Sequence, residues 1–223
     1  MNEQKTDKTL SWPFFFQLAI VAAMYLIGFI LLNDLPAQMP MHWNIAGEVD
    51  NYIDKNLAII IFPSITLAIT LMFPLLSRID PRRENYALFK KSWIILQSVI
   101  VLFMAYMYFV TLYLTFNPDL SIIPFIFTGI GILFMVIGNY LSKIRQNYFV
   151  GIKTPWTLDN EEVWNRTHRL GAWLFFIAGF VTVIEGIVQW YVFPVFITCI
   201  LIASLVPIIY SYIIFKKFEK NSY

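Results

Sequence analysis

Charged residues are scarce in this chain. Asp, Glu, Lys and Arg together make up 13% of its 223 residues, whereas hydrophobic residues make up 59%. Soluble domains carry roughly 25% charged residues on average, so this composition excludes an ordinary soluble globular domain. The sequence instead predicts an integral membrane protein whose apolar helices face lipid.

Cysteine and histidine are nearly absent, which limits the chemistry that the chain offers. The single cysteine, Cys199, lies in the last apolar run, so an intrachain disulfide is excluded and a thiol-based metal site is implausible. The two histidines, His42 and His168, are far apart in the sequence, and a metalloprotease H-E-x-x-H motif is absent. We therefore predict no metal site and no cofactor.

Apolar stretches near the ~20-residue length of a membrane-crossing helix recur along the chain. Six such stretches cover residues 13–32, 57–76, 92–116, 121–141, 170–190 and 192–215. The fold predicted from them is all-α, a polytopic membrane protein with six transmembrane helices. Pro63 and Pro74 predict a kink or an early end in the second helix.

Basic residues are distributed unevenly between the connecting segments. Fifteen of the sixteen Lys and Arg residues fall on one side of the six-helix arrangement, and the exception is Lys55 in the polar loop 33–56. Lys and Arg are retained in the cytoplasm. We therefore predict a multi-pass cell-membrane protein with both termini and the polar segment 142–169, here called the insert, in the cytoplasm. Loop 33–56 is then on the outside.

The same arrangement divides the chain into three parts. Residues 1–76 are predicted to form an N-terminal domain that holds the first two helices and the outer loop 33–56. Residues 77–120 hold a basic inner loop and the third helix. Residues 121–223 hold the last three helices together with the insert 142–169.

Two pieces of the insert have different local chemistry. Pro155 restricts Thr154 to extended conformations, so the first piece is predicted to be a rigid, non-helical approach. Asp159 followed by Glu162 resembles a capping box and predicts the start of a helix. That helix is interpreted either as lying along the inner membrane interface or as the inner end of the fifth membrane helix.

Aromatic residues of the insert bear on both alternatives. On the predicted helix, Trp164, His168 and Gly171 share one face. In the interfacial alternative, Trp156 and Trp164 lie at the depth of the lipid headgroups. A connector that seals the helix bundle and a surface that docks a partner both remain open as roles for this segment.

One part of the insert suggests catalysis. Glu161, Glu162 and Arg166 spell E-E-x-x-x-R, which resembles the first motif of the membrane-embedded CAAX-protease family. That family also needs histidines on later helices to position water or a metal. Because no histidine follows His168, we predict that the chain is not an enzyme.

Several stretches around the insert resemble a known family. They are Gly138-Asn139, the run QNYFVGIKTPWTL at residues 146–158, and Glu162-Val163-Trp164 with Asn165 and Arg169. The central GIKTPWTL piece is long and contains uncommon residues, which makes it specific. On these residues the chain resembles the SdpI family of bacterial membrane immunity proteins.

The outer loop carries a second resemblance. From Leu35 to Asp50 the chain reads L-P-x-x-x-P-x-H-W-N-x-x-G-x-x-D, followed by Lys55. This pattern is similar to a short N-terminal domain of unknown function that often precedes the SdpI region. Together the two resemblances bracket nearly the whole chain.

The resemblance implies an integral membrane immunity protein that protects the cell from a secreted peptide or protein toxin arriving at the outer face. It also implies signalling through a cytosolic repressor protein held at the inner face, with no direct nucleic-acid binding. The outer recognition residues are expected to be Pro40, His42, Trp43, Asn44, Gly47, Asp50 and Lys55. The inner signature or partner surface is expected to comprise Asn147, Gly151, Lys153, Thr154, Pro155, Trp156, Thr157, Glu162, Trp164, Arg166, His168 and Arg169.

Polar residues inside the apolar stretches leave a second function open. Glu185 lies within the fifth stretch, where a charge is costly unless it snorkels, pairs or is protonated, and Gln189 is its candidate neighbour. Gly129, Gly131 and Gly138 predict close approach of another helix backbone. If Glu185 and these glycines instead line a path, the chain is a small transporter or exporter of a peptide or solute.

Overall fold

The computed structural model describes residues 12–221, and the predicted cytoplasmic placement of residues 1–11 and 222–223 falls outside this range. In the described part, six helices are long and apolar enough to cross a membrane, and a short helix precedes the fifth of them. The helices are α1 (Trp12–Leu31), α2 (Lys55–Ile79), α3 (Lys90–Phe116), α4 (Ile123–Leu141), α5 (Pro155–Asp159), α6 (Glu161–Val188) and α7 (Val192–Asn221). The prediction of a helical protein with six membrane-crossing helices is confirmed.

Several helices extend further than the apolar stretches that predicted them. α2 continues through Pro63 and Pro74 to Ile79, so the early end expected from the prolines does not occur. Transmembrane helices tolerate interior prolines because neighbouring groups satisfy the freed backbone.

The fifth membrane helix decides between the two interpretations of the insert. α6 begins at Glu161 and continues without a break, so the second half of the insert is the inner end of this helix. The interfacial alternative is wrong, because this segment is continuous with α6 and the Trp164 side chain is fully buried in protein. The buried face that holds Trp164 also holds His168 and Gly171, as predicted.

The outer loop contains a β-hairpin that the sequence did not predict. β1 (Gln38–Trp43) and β2 (Val49–Asp54) form a two-stranded antiparallel sheet, with irregular register around His42. Met39 of β1 is fully buried against the helices. An isolated hairpin is marginal in water, so this contact with the helices supports it.

Two groups of helices pack around separate cores. α1, α2 and α3 enclose Met24, Ile59 and Tyr108, which are all fully buried and lie in one cluster with Met39 of the hairpin. α4 and α7 both pack on α6. The chain therefore places its first three and its last three membrane helices side by side, with α3 beside α4.

Small residues let α4 and α6 approach closely. A Cβ atom added at Gly131 would lie 2.6 Å from the carbonyl oxygen of Gly179, and one added at Gly138 would lie 2.6 Å from the backbone nitrogen of Phe176. The predicted close approach is confirmed at these two positions, whereas Gly129 faces the ring of Tyr106. Close backbone approach is the usual basis of helix association in lipid.

The alternating helices separate two ends of the molecule. One end holds the hairpin and the short turn 117–122, and we call it the hairpin face. The other end holds the insert and residues 80–89, here called the connector, and we call it the insert face. A short 3-10 helix, Arg83–Ala87, lies within the connector.

Candidate functional site

The first piece of the insert is a one-turn helix. Thr154 is extended, as predicted, with φ −117° and ψ 161°, but Pro155 then begins α5. The predicted non-helical approach is therefore wrong at residues 155–157. Proline is favourable at the first helical position, and Thr154 and Thr157 cap each other's backbone amides at 3.2 and 2.8 Å.

The helix that follows is capped by Asn160 and not by Asp159. The Asn160 side-chain oxygen accepts the amide hydrogen of Val163 at 3.0 Å, whereas Asp159 is the last residue of α5. The prediction that Asp159 caps this helix is therefore wrong, because Asp159 is part of α5. Glu162 and Arg166 form an i,i+4 pair on this helix, with Arg166 Nε donating to Glu162 Oε1 at 2.7 Å.

His168 joins the loop between α4 and α5, here called the signature loop (residues 142–154), to α6. The backbone amide of Ile152 donates to His168 Nε2 at 2.9 Å, so Nδ1 carries the proton and donates to the carbonyl oxygen of Trp164 at 2.8 Å. The His168 and Trp164 rings stack with centroids 3.9 Å apart. Both ring nitrogens are occupied by backbone groups, which makes His168 a structural residue.

Gly151 is required by the same arrangement. Its φ is +117°, a conformation that side chains rarely adopt. A Cβ atom at this position would also collide with His168 Nε2 and lie 3.1 Å from the Trp164 ring. The glycine of the GIKTPWTL signature therefore lets the loop reach His168.

Asn147 folds the loop before Gly151. Its side-chain oxygen accepts the amide hydrogens of Phe149 and Val150 at 2.9 and 2.7 Å. Its side-chain nitrogen donates to the carbonyl oxygens of Arg145 and Val150, both at 2.9 Å. Because the residue is fully buried, these bonds satisfy the amide and fix the turn.

A buried carboxylate ties the connector to the insert. Asp80 is 2% exposed, and its Oδ2 accepts the amide hydrogen of Tyr148 and the hydroxyl of Tyr86, each at 2.9 Å. Its Oδ1 accepts the amide hydrogen of Arg82 at 2.7 Å. Asp80 was not among the predicted residues.

Tyr86 connects this carboxylate to an aromatic core beneath the insert face. Burial, and then the hydrogen bond to Asp80 and its negative charge, raise the pKa of the Tyr86 phenol well above its usual range. The Tyr86 ring packs against Phe89 and Trp93, with centroids 5.0 and 5.1 Å apart. The phenol therefore stays protonated and donates to Asp80.

A second set of bonds reaches the end of α5 from Gln146 of the insert and from Arg82 of the connector. Gln146 Nε2 donates to the carbonyl oxygens of Thr157 and Leu158 at 2.6 and 3.1 Å. Arg82 Nη2 also donates to Leu158, at 2.8 Å, and its guanidinium lies 5.2 Å from the centre of the Tyr148 ring. These bonds occupy carbonyls at the end of α5.

The insert is attached to α7 as well. The Thr154 and Ser211 hydroxyl oxygens lie 3.1 Å apart, within hydrogen-bond distance, and both side chains are buried. The Trp156 ring packs on Tyr212 with centroids 5.0 Å apart. The GIKTPWTL segment thus contacts α6 and α7 at once.

The predicted inner surface separates into supports and exposed groups. The buried members are Asn147, Thr154, Thr157, Trp164 and His168. The exposed members are Lys153, Pro155, Glu162, Arg166 and Arg169. A partner arriving at the insert face meets the second group, while the first group holds the loop in shape.

Sequence reasoning missed the connector side of this site: Asp80, Arg82, Asn85 and Tyr86. One signal was present, since Asp80 precedes Pro81 and an Asp-Pro pair favours turn initiation. The partner of Asp80, the amide of Tyr148, is 68 residues away. No local pattern indicates that pairing.

Most predicted outer residues shape the hairpin. The Asn44 side-chain oxygen accepts the amide hydrogens of Ala46 and Glu48 at 2.9 and 3.0 Å, and Gly47 closes the turn at φ +79°. Pro40 is buried within β1. These residues build the turn and anchor the strand.

Trp43 and Lys55 attach the hairpin to the helices. Trp43 packs against a cluster that contains Val110 of α3 and Ile122 before α4. Lys55 Nζ donates to the carbonyl oxygens of Leu32 and Leu35, both at 2.9 Å, just beyond the end of α1. Cations at the carbonyl end of a helix are favourable.

His42 and Asp50 are predicted outer residues whose ionisable side chains are exposed to solvent. His42 Nδ1 lies 2.6 Å from Asp50 Oδ1, and the two side chains are 67% and 43% exposed. They sit on opposite strands of the hairpin. This pair is therefore available to a ligand on the hairpin face.

Glu185 and Gln189, the polar residues predicted within the fifth apolar stretch, lie at the end of α6. Glu185 Oε2 accepts the amide hydrogen of Tyr191 at 3.0 Å, just before α7. Gln189 ends α6 in a left-handed conformation at φ 57°, its backbone amide donating to the Glu185 carbonyl oxygen. The carboxylate thus lies in the last turn of α6 and pairs with backbone.

The described residues also bear on metal binding. Between residues 12 and 221, no group of three or more His, Cys, Asp and Glu side chains is placed to hold a metal ion. The E-E-x-x-x-R stretch presents Glu162 and Arg166 as an exposed pair with each other.

Comparison with protein families covers both ends of the molecule. Residues 143–211 match the SdpI/YfhL protein family, a span that includes the insert, α6 and most of α7. This part of the chain is therefore similar to the SdpI/YfhL family. Residues 19–67 match a domain of unknown function, and this span includes the hairpin. Both resemblances expected from the sequence are confirmed.

One curated relative aligns along most of the chain. Immunity protein SdpI of Bacillus subtilis (strain 168) is 29% identical over 201 residues, which are 90% of this chain and 94% of that protein. No solved structure matches the chain. The alignment extends the SdpI likeness across the hairpin, the connector and the insert together.

Proposed function

We propose that this multi-pass membrane protein is an immunity protein that protects the cell carrying it from a secreted peptide or protein toxin. The observation that carries the proposal is the alignment with Immunity protein SdpI, which covers nearly all of both chains. The proposed role is not enzymatic, since the exposed acids Glu161 and Glu162 have no histidine within reach: His168 is buried and bonded to backbone.

We further propose that the hairpin face is outside the cell and the insert face is in the cytoplasm. The support is electrostatic: of the fourteen basic residues between positions 12 and 221, thirteen lie at the insert end. The other, Lys55 at the hairpin end, donates to backbone carbonyls. Lys and Arg are retained on the cytoplasmic side. A secreted toxin then meets the hairpin first.

The exposed His42 and Asp50 pair is proposed to contact the toxin. The other outer residues are used within the hairpin or against the helices, as described above, so their substitution disturbs the shape of the surface. His42 and Asp50 offer a hydrogen-bonded pair of side chains on a supported scaffold. Charged, exposed side chains of this kind fix the orientation of a partner.

The test uses the native bacterium as its own toxin source. A strain lacking the gene is exposed to culture supernatant of the parent strain and complemented with wild-type protein, with His42→Ala/Asp50→Ala, or with Gln38→Ala/Asn51→Ala. The last variant changes two exposed residues of the same strands that have no described side-chain partner. We expect wild type and the Gln38/Asn51 variant to restore survival and the His42/Asp50 variant to lose it at equal membrane level.

Two outcomes would count against these assignments. Unchanged survival of the deletion strain overturns the immunity proposal itself. Full protection by the His42→Ala/Asp50→Ala variant overturns only the recognition role of the pair. Measuring toxin retained by the cells separates direct immunity from export, because an exporter lowers that amount.

At the insert face, we propose a docking surface for a cytosolic repressor protein. Its members are Trp156, Arg166 and Arg169, which lie at the surface of a rigid support, while Lys153 is held by the carbonyl oxygens of Tyr148 and Phe149 at 3.1 and 3.0 Å. Capture of the repressor by membranes from expressing cells is expected to fall with Trp156→Ala and to persist with Trp12→Ala. Equal capture by both variants would remove Trp156 from the surface.

A further inference from the structure

A groove at the insert face shares Arg166 and Arg169 with the docking surface proposed above and extends beyond it towards the bilayer. Three segments line it: the residues after α4, one side of α6, and α7. The side chains that define it are Lys143, Arg145, Arg166, Arg169, Trp173 and Tyr210. Leu88 of the connector contributes an apolar rim and is 71% exposed.

The groove concentrates positive charge. Four cations line it against one carboxylate, Glu162, which is already paired with Arg166 at 2.7 Å. Among the described residues, Arg145 and Arg169 have no side-chain hydrogen bond or ion pair. Their guanidinium donors therefore remain available to an anion, and guanidinium groups suit phosphate oxygens in particular.

The charge changes to apolar surface along a single stripe of α6. Glu162, Arg166, Arg169 and Trp173 follow one another at intervals of three and four residues and so lie on the same side of the helix. Trp173 is one turn deeper than Arg169, about 6 Å at 1.5 Å per residue, and it is 66% exposed. A ligand seated here meets cations at its outer end and an aromatic ring at its inner end.

We propose that this groove binds the headgroup of an anionic phospholipid of the inner leaflet. Arg145, Arg169 and Lys143 contact the phosphate and any further negative charge of the headgroup, and Trp173 lies beside the first part of an acyl chain. Basic pockets between membrane helices on the cytoplasmic side are suited to such headgroups. The site requires neither the toxin nor the repressor.

The position of Trp173 below the cations on α6 favours a lipid headgroup over other anions as the ligand of the groove. A free phosphate ion uses the cations but leaves Trp173 without a partner, and an acidic protein segment has no access to the lipid-facing side of α6. The exposed residues that follow Trp173 on α6, Phe176 and Ile177, are apolar and continue the lipid-facing surface. The groove is thus open towards the bilayer along the same helix.

The test measures lipid binding by the purified full chain. Native mass spectrometry of the protein in detergent is used to titrate phosphatidylglycerol and, separately, phosphatidylcholine. The test variant is Lys143→Gln/Arg145→Gln/Arg169→Gln. The matched control is Lys91→Gln/Lys217→Gln/Lys220→Gln, which removes three exposed cations of the same face outside the groove.

We expect wild type and control to bind phosphatidylglycerol in preference to phosphatidylcholine. The test variant is expected to bind phosphatidylglycerol more weakly by roughly fivefold for each charge removed. Trp173→Ala is expected to weaken lipid binding while leaving any binding of inorganic phosphate unchanged. Equal loss in the test and control variants, or no preference between the lipids, overturns the proposal.

Two further measurements test whether other anions bind in the groove. Inorganic phosphate that displaces the lipid at millimolar concentration would identify an ion site and overturn the lipid assignment. A polyglutamate peptide that binds wild type, loses binding in the test variant and displaces the lipid would identify an acidic protein as the occupant and overturn it too. Because purified protein is used, these results are independent of cell survival in the immunity assay.

Discussion

The carboxylate of Asp80 accepts the backbone amide of Tyr148 at 2.9 Å and thereby joins the connector to the insert across 68 residues of sequence. The same oxygen accepts the Tyr86 hydroxyl. A buried charge is tolerated when hydrogen bonds replace its hydration. Asp80 therefore links the helices before the connector to the family signature after it.

Replacing Asp80 by alanine is expected to destabilise the protein. The change leaves the amides of Tyr148 and Arg82 without an acceptor and the hydroxyl of Tyr86 with only Asn147 Oδ1, at 3.4 Å. Hydrogen bonds to a charged group contribute about 1.5–3 kcal/mol, so we expect the free energy of unfolding to fall by about 2–3 kcal/mol. Thermal unfolding in detergent measures it. Asp119→Ala, an exposed acid on the hairpin face, is the control and should change little.

Replacing Gly151 by alanine is expected to disrupt the signature loop. The positive φ costs about 1–3 kcal/mol for a non-glycine residue, and the new methyl group collides with His168. Adding His168→Ala relieves the collision but not the backbone strain. If the double variant loses more unfolding free energy than the two single variants lose together, the collision does not occur.

Replacing Trp164 by phenylalanine isolates one buried hydrogen bond. Trp164 Nε1 donates to the carbonyl oxygen of Ile144 at 2.8 Å, and both residues are buried. We expect a loss of about 1–3 kcal/mol, because the carbonyl is left unsatisfied. Trp190→Phe, at a position 78% exposed, should have no comparable effect in the same melting experiment. Equal melting temperatures for the two variants would contradict this role.

Alanine at the α4 glycines is expected to separate α4 from α6. At Gly131 and Gly138 the new methyl group meets backbone atoms at 2.6 Å, which move only if the whole helix moves. At Gly129 the neighbour is the Tyr106 side chain, which shifts more easily. Resistance to unfolding by SDS should therefore fall more for Gly131→Ala and Gly138→Ala than for Gly129→Ala. The reverse order would place the close contact elsewhere.

The proposed orientation is tested by labelling cysteines in intact cells. Cys199 is first replaced by serine, and then Gln38→Cys or Glu161→Cys is introduced, one at each face and both at exposed positions. A membrane-impermeant maleimide is expected to label Gln38→Cys only, and both after the cells are opened. Labelling of Glu161→Cys in intact cells would reverse the topology.

The sequence by itself determined the number and approximate position of the membrane helices. Each apolar run must satisfy its backbone hydrogen bonds within itself in lipid, so length and hydropathy are sufficient to predict a helix. The family could be predicted too, because GIKTPWTL is a contiguous pattern. The division into 1–76, 77–120 and 121–223 stays a prediction.

The candidate site was only partly predictable. The signature residues were found, but not which of them are exposed: Trp164 and His168 are buried, whereas Arg166 and Arg169 face outwards. The hairpin was missed because its strands contain Pro40 and polar residues and depend on helix contacts for support. Helix caps were misplaced by one residue, since Asp159 and Asn160 are both suitable caps by type.

Only the tertiary structure decided how the insert folds and packs. Its helical half continues α6 because Trp164, His168 and Gly171 find protein to pack against, and its loop is rigid because Asp80 reaches it from a distant connector. A local pattern fixes backbone preference within a few residues. Which distant group satisfies a buried amide depends on how the helices are arranged around one another, and that is settled by packing.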